Sequence, residues 1–283
     1  MRFLFVPLQL DFSYLHMTIP IIESVKAIEQ QFSTGEEPVL VTCSDRNRYI
    51  CKYMRSSATP FKLVCEFVGA RMAFSWQLTT PDIAFVQIKQ KHWNYTKVSH
   101  YLSAPAIGSK LIENVVDITP TTYREIVPSE LLLQQLIRIA LFDFWMANED
   151  RNANNANLLY DILQDKLVSI DYGCIFNTAT FDYPMSQLTS TDTILWSDLF
   201  QHLAHRIKKK AIEAIIKDLD NNYPTILDQS KKQVTSILEE LPKGWNIKEE
   251  LVENKLIQLF EKQWVSTVWD NFYECLIENL NNE

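Results

Sequence analysis

At 283 residues and 33.0 kDa, with 47% hydrophobic and 22% charged residues, the chain can bury the core of one large domain or two lobes, which excludes disorder, collagen and fibrous coiled coil. Lys plus Arg number 27 against 35 Asp plus Glu, a formal charge of −8, so no general attraction to nucleic acid or an anionic membrane is expected. Five scattered cysteines with no C-x-x-C pair argue against a secreted disulfide framework and for a reducing, cytoplasmic setting.

The chain opens MRFLFVPLQLDF, an apolar stretch broken by Pro7 and ended by Asp11 with no small-residue cleavage site behind it. It reads as a buried strand or strand pair, not a signal peptide. No later apolar run reaches the roughly 18 residues of a membrane-spanning helix. Val39 to Cys43 and Arg48 to Met54 are β-rich runs around the turn-forming cluster Ser44, Asp45, Arg46 and Asn47, a pattern that predicts a hairpin. Leu63, Phe67, Ala70 and Phe74 then recur at helical spacing and predict a helix over Lys62 to Leu78. Ile83 to Ile88 reads as a buried strand.

Pro128, Ser129 and Glu130 supply a start signal for a long apolar helix, Leu131 to Ala147. It runs into the polar loop NEDRNANN, followed by two short apolar runs, Leu158 to Leu163 and Leu167 to Asp171, that suit a small hairpin. From about Thr189 onward the spacing is helical, interrupted only at Pro224 and Pro242. The expected fold class is therefore α+β, with a sheet-and-helix lobe over 1–92 and a mainly helical lobe over 93–283.

Glycine is scarce: five residues, where average usage would give roughly 20. Both G-x-G-x-x-G and the Walker A loop are absent, so the two commonest phosphate cradles are excluded. The chemistry concentrates instead in the asparagine-rich loop. Asp150 is followed five residues on by Asn155 and 21 residues on by Asp171, which heads Asp171, Tyr172 and Gly173. Two carboxylates and an amide are hard oxygen donors of the kind that Mg²⁺ takes while sharing its shell with phosphates. In the protein-kinase template a catalytic-loop Asp orients the attacking hydroxyl, and an Asn five positions on and an Asp before an aromatic residue and Gly hold the metal. The template also requires a strand Lys paired with a helix acid; Lys52 and Glu66 occupy those places. Asx residues are common turn formers, but a merely structural reading must treat the upstream Lys and Glu as coincidence as well.

The runs FDFWMANEDRNANNANLL, IDYG and PVLVTCSDRNRYICKYM, with the tetrapeptide IGSK at Ile107 to Lys110, resemble the HipA-like kinases, a two-lobed protein-kinase-like family related to phosphatidylinositol kinases. The resemblance covers roughly residues 25 to 180. It implies binding of ATP and Mg²⁺ and transfer of the γ-phosphoryl group to a Ser or Thr of a protein substrate; in several branches of the family this is the toxin half of a toxin–antitoxin pair, which would make an antitoxin protein a partner. On it, Asp150 is the catalytic acid, Lys52 and Glu66 meet the nucleotide, and Asn155 and Asp171 bind metal. Ser33, Thr34 and Gly35 stand where such proteins carry a short phosphate loop, and the two hydroxyls are candidates for self-modification. IGSK reads as a loop near the nucleotide or substrate. There is no H-R-D and only one glycine over the phosphates, which keeps open a nucleotide-binding module without transfer; lipid phosphorylation or AMP transfer on the same fold is a further alternative.

Overall fold

The computed structural model describes residues 18–56, 59–93 and 100–281, so the opening apolar stretch lies outside the described residues. Strands β1 (Ile21–Glu23), β2 (Gln30–Gln31), β3 (Val39–Thr42), β4 (Arg48–Lys52), β5 (Ile83–Gln87) and β6 (Ala106–Lys110) form one sheet in the order β1-β5-β6-β4-β3-β2. Only the β1–β5 pair is parallel. The hairpin expected around Ser44–Asn47 is β3–β4, with Arg46 in the left-handed region at its tip.

Alternation along β4 sets the two faces. Tyr49 and Cys51 are buried with Val39, Val41, Ala84, Val86 and Trp93 on one side. Ile50 and Lys52 point to the other, where helix α1 (Thr59–Ser75) packs through Leu63, Phe67 and Ala70 against Phe85 and Ile107. A sheet buried on both faces explains why β5 reads as a near-continuous apolar run rather than an alternating one.

IGSK is not a loop. Ile107 to Lys110 lie in β6, between β5 and β4, with Gly108 opposite Ala84 and Cys51. Its glycine is there for space: a Cβ at Gly108 would sit 2.8 Å from Val86 Cγ2 and 3.2 Å from Cys51 Sγ. The sheet thus takes in residues on the far side of the boundary expected at residue 92.

Residues 111–114 lead from this sheet to β7 (Val115–Asp117), which joins β8 (Leu158–Asp161) and β9 (Lys166–Ser169) in a three-stranded antiparallel sheet. Helix α2 (Glu130–Met146) begins where expected, with Ser129 Oγ accepting the Leu132 N–H at 3.2 Å. It ends at Ala147, whose left-handed backbone turns the chain into the polar loop. Apart from short 3₁₀ turns, the other described elements are a short left-handed turn, α3 (Ile175–Ala179), and helices α4 (Asp198–Ala204), α5 (Lys209–Lys231), α6 (Val234–Glu239), α7 (Glu249–Gln258) and α8 (Lys262–Asn281). Pro224 does not interrupt its helix: α5 runs through it. Pro224 and Asp220 are both exposed, so the carbonyl that loses its partner faces water.

Candidate active site

Lys52, Glu66 and Asp171 come from a strand, a helix and the end of a hairpin, and they meet. Lys52 Nζ donates to Glu66 Oε1 at 2.5 Å and to Asp171 Oδ1 at 2.8 Å. Glu66 Oε2 accepts the Tyr172 N–H at 3.1 Å, so one buried carboxylate positions both the lysine and the backbone next to Asp171. Close approach of α1 to this segment requires glycine at 69, where a Cβ would stand 2.3 Å from Tyr172 Cβ. At Gly173 a Cβ would fall 2.9 Å from Glu66 Oε1 and would press on the carboxylate that holds Lys52.

The charges are unequal in consequence. Burial pushes the Glu66 carboxyl up, to about 8, against the pull of Lys52 and with the push of Asp171. Asp171 goes the other way: burial alone would raise it, but the Lys52 charge, hydrogen bonding with Glu66 and Lys52, and the Gly173 N–H hold it at about 2. Lys52 is also costly to bury, yet Glu66, Asp171 and Glu36 keep it firmly cationic. Asp171 is therefore the acid that stays ionised, and its backbone is in the left-handed region (φ 58), a conformation that persists only when its surroundings enforce it.

The Asp150 loop is held from below by Arg151. This residue is fully buried and paired with Asp143 of α2; its guanidinium also donates to Ile170 O at 2.9 Å and Asn157 O at 3.4 Å and lies over the Tyr172 ring. Asp150 is half-buried, and its Oδ2 accepts from Asn157 Nδ2 at 3.0 Å. Cys174 reports on the convergence of the set: burial raises its thiol to about 11, and Asp150, Lys62, Asp171 and Glu36 all act on it electrostatically.

Asn155 is exposed, and it is tied into the loop through its backbone, which exchanges hydrogen bonds with Asn152. The amide in contact with Asp150 belongs to Asn157, two residues further on. Ser33, Thr34 and Gly35 form the exposed end of a turn closed by Phe32 N–H to Pro38 O at 2.9 Å; the residue of this loop that reaches Lys52 is Glu36, at 3.3 Å. Glu36, Asn157 and Lys62, which pairs with Glu36 at 3.0 Å, carry no sequence signal of their own, being common polar types in polar stretches. The left-handed turn α3 is also unforeseen. Phe176, Asn177, Thr178 and Ala179 all have φ between 51 and 60, held by Glu149, which accepts from Asn177 Nδ2 and Thr178 Oγ1.

Among the described residues no group of three or more His, Cys, Asp and Glu is arranged to hold a metal ion. The Asp171 carboxylate together with an amide oxygen from Asn155 or Asn157 suits an ion that brings phosphate oxygens and water as its remaining ligands, as Mg²⁺ does. A HipA-like kinase family model matches residues 22–274, nearly the whole chain. The chain belongs to the HipA-like kinases. No curated protein sequence matches it. Among solved structures, this HipA-like kinase is similar to the Helicobacter pylori proinflammatory kinase CtkA, with a TM-score of 0.56 at 14% identity, over 92% of this chain and 99% of that one. A golgi casein kinase aligns over 92% of this chain and 76% of its own, with 10% identity and a TM-score of 0.43. At such identity the likeness to CtkA shows the fold, the two-lobed α+β kinase architecture. The HipA-like kinase is accordingly a phosphotransferase of kinase type. No helix among its described residues is long and apolar enough to cross a membrane.

Proposed function

We propose that this kinase transfers the γ-phosphoryl group of ATP, carried with Mg²⁺, to a Ser or Thr hydroxyl of a protein. The observation that carries the reading is the Lys52–Glu66–Asp171 contact set, a fixed cation beside an ionised carboxylate. On this reading Lys52 meets the nucleotide phosphates and Asp171 takes the metal, with Asn155 or Asn157 as the amide donor. Magnesium, when bound, neutralises charge on the transferring group. Asp150 orients the acceptor hydroxyl and takes its proton. Catalysis rests on positioning and charge neutralisation, since no covalent intermediate with the protein is needed.

Family membership supports a Ser or Thr acceptor and a toxin role with an antitoxin partner, and the scattered, unpaired cysteines support a cytoplasmic site of action; all three are part of the proposal. The nucleotide reading is tested by thermal stability with ATP and Mg²⁺. A ligand at 100 times its Kd stabilises by about 2.7 kcal/mol, so a metal-dependent rise in Tm is expected that Asp171→Asn abolishes. No rise at saturating nucleotide would refute it. The mass added to a protein substrate then separates phosphate from AMP, and an unmodified substrate pool despite tight nucleotide binding would favour a binding module.

A further inference from the structure

Glu36 bridges two lysines. One oxygen lies 3.3 Å from Lys52 Nζ and the other 3.0 Å from Lys62 Nζ, at the start of α1. The two ammonium groups are close enough to oppose each other, and the shared carboxylate keeps Lys62 more basic than an ordinary lysine. The same carboxylate stands 3.7 Å from where a Gly173 side chain would begin, so it projects into the space between Lys52 and the Asp171 turn. A carboxylate with one oxygen on each of two lysines is the arrangement a phosphate group adopts at such a pair. Lys52 already has the ionised Asp171 as a partner at 2.8 Å, so the Glu36 carboxylate is not required to neutralise it.

The loop that carries Glu36 is built to leave. A Cβ at Gly35 would find nothing within 4 Å, so the tip of the turn is uncrowded. Besides Glu36, it is tied down by Arg55, which pairs with Glu37 at 2.7 Å and donates to Gly35 O at 3.4 Å. Both are exposed contacts of the kind worth at most about 1 kcal/mol.

We infer that Lys62 is a second phosphate-contacting residue of this site and that Glu36 occupies the phosphate position on Lys52 and Lys62 until nucleotide displaces it. The inference rests on the nucleotide reading above. Incoming phosphates and the Glu36 carboxylate are like charges competing for the same two cations, so only molecules with Glu36 withdrawn bind, and the apparent Kd is raised by the reciprocal of that fraction.

The test is calorimetric titration, without turnover, of Mg-ATP and of adenosine into the unmodified chain, Glu36→Gln, Glu36→Gln with Lys62→Met, and Lys52→Met. Glu36→Gln should bind ATP about fivefold tighter or more, and adding Lys62→Met should weaken it about tenfold. Adenosine, which has no phosphate, should bind all these chains alike. The inference is overturned if either effect is missing, or if adenosine affinity moves with ATP affinity, which would make Glu36 and Lys62 a structural brace. If the unmodified chain and Lys52→Met bind ATP differently while the other variants change nothing, the nucleotide reading stands and only this inference falls. If no chain binds ATP, both fall.

Discussion

Arg151 and Asp143 form a fully buried ion pair that fastens the Asp150 loop to α2. The same guanidinium holds the Ile170 and Asn157 carbonyls, so one side chain fixes the backbone beside Asp171 and the backbone beyond Asp150. Asp143 depends on it: burial pushes its carboxyl up, and Arg151 and Asn148 are the groups that oppose the push. Arg151→Met leaves that acid buried without its cation and should cost about 3–5 kcal/mol in urea unfolding. The double variant Asp143→Leu with Arg151→Met should recover most of the stability but not the transfer rate, because the loop carbonyls stay unheld.

Asp150 has a different signature. It lies in the loop, half-buried, and pairs with no cation among the described ion pairs. Asp150→Asn should leave the Tm and the affinity for Mg-ATP near those of the unmodified protein. The proposed general-base role is worth on the order of 10²-fold or more in rate, and on that proposal single-turnover phosphate transfer should fall by that factor. Undiminished transfer would remove Asp150 from the mechanism.

The two asparagines separate by geometry. Asn157 Nδ2 donates to the Asp150 carboxylate at 3.0 Å and to its carbonyl at 3.3 Å, whereas the Asn155 side chain is exposed. Asn157→Ala should reduce transfer by about tenfold or more, as expected when a hydrogen bond to a charged group is lost. If metal ligation is the cause, its rate should also need a higher Mg²⁺ concentration for half-saturation. The same titration on Asn155→Ala decides which amide serves the ion.

The hairpin around Ser44–Asn47, α1, α2 and the β8–β9 hairpin were all legible, because each pairs a clear period with a turn or cap signal. Lys52, Glu66 and Asp171 were legible as a set because element type and spacing constrain them jointly. What local pattern cannot register is proximity across the chain. Glu36 and Lys62 are ordinary polar residues until the fold brings them to one point, and Asn157 gains its contact from the path of the loop. IGSK reads as a loop on its resemblance to a motif of the family, but Gly108 is required by close packing between strands. Pro224 looked like a break because its cost in a helix is large on average, and exposure of the affected carbonyl lowers it here.

Glu66 gives the site a dependence on pH with a definite sign. Its carboxyl ionises near 4.5 when unperturbed and at about 8 in the folded protein. The folded state therefore binds more protons across that interval. The resulting stabilisation is complete below 4.5 and is lost as pH rises through 8, with a limiting slope of about 1.4 kcal/mol per pH unit for one proton. Asp171 works in the opposite direction but only at acid pH, since its folded value of about 2 and its unperturbed value of 3.8 both lie far below neutrality. His92 is lowered by burial, so its own contribution is complete once pH exceeds its ordinary 6.5. Between about pH 7 and 8 the nucleotide-free protein should thus lose stability, and Glu66→Gln, neutral throughout, should make the curve less steep; the cysteines, whose thiols burial raises, add a slope of the same sign only as pH nears their ordinary 9.0. Equal slopes in the two proteins by urea unfolding would show that Glu66 is ionised in the folded state, with Lys52 outweighing its burial.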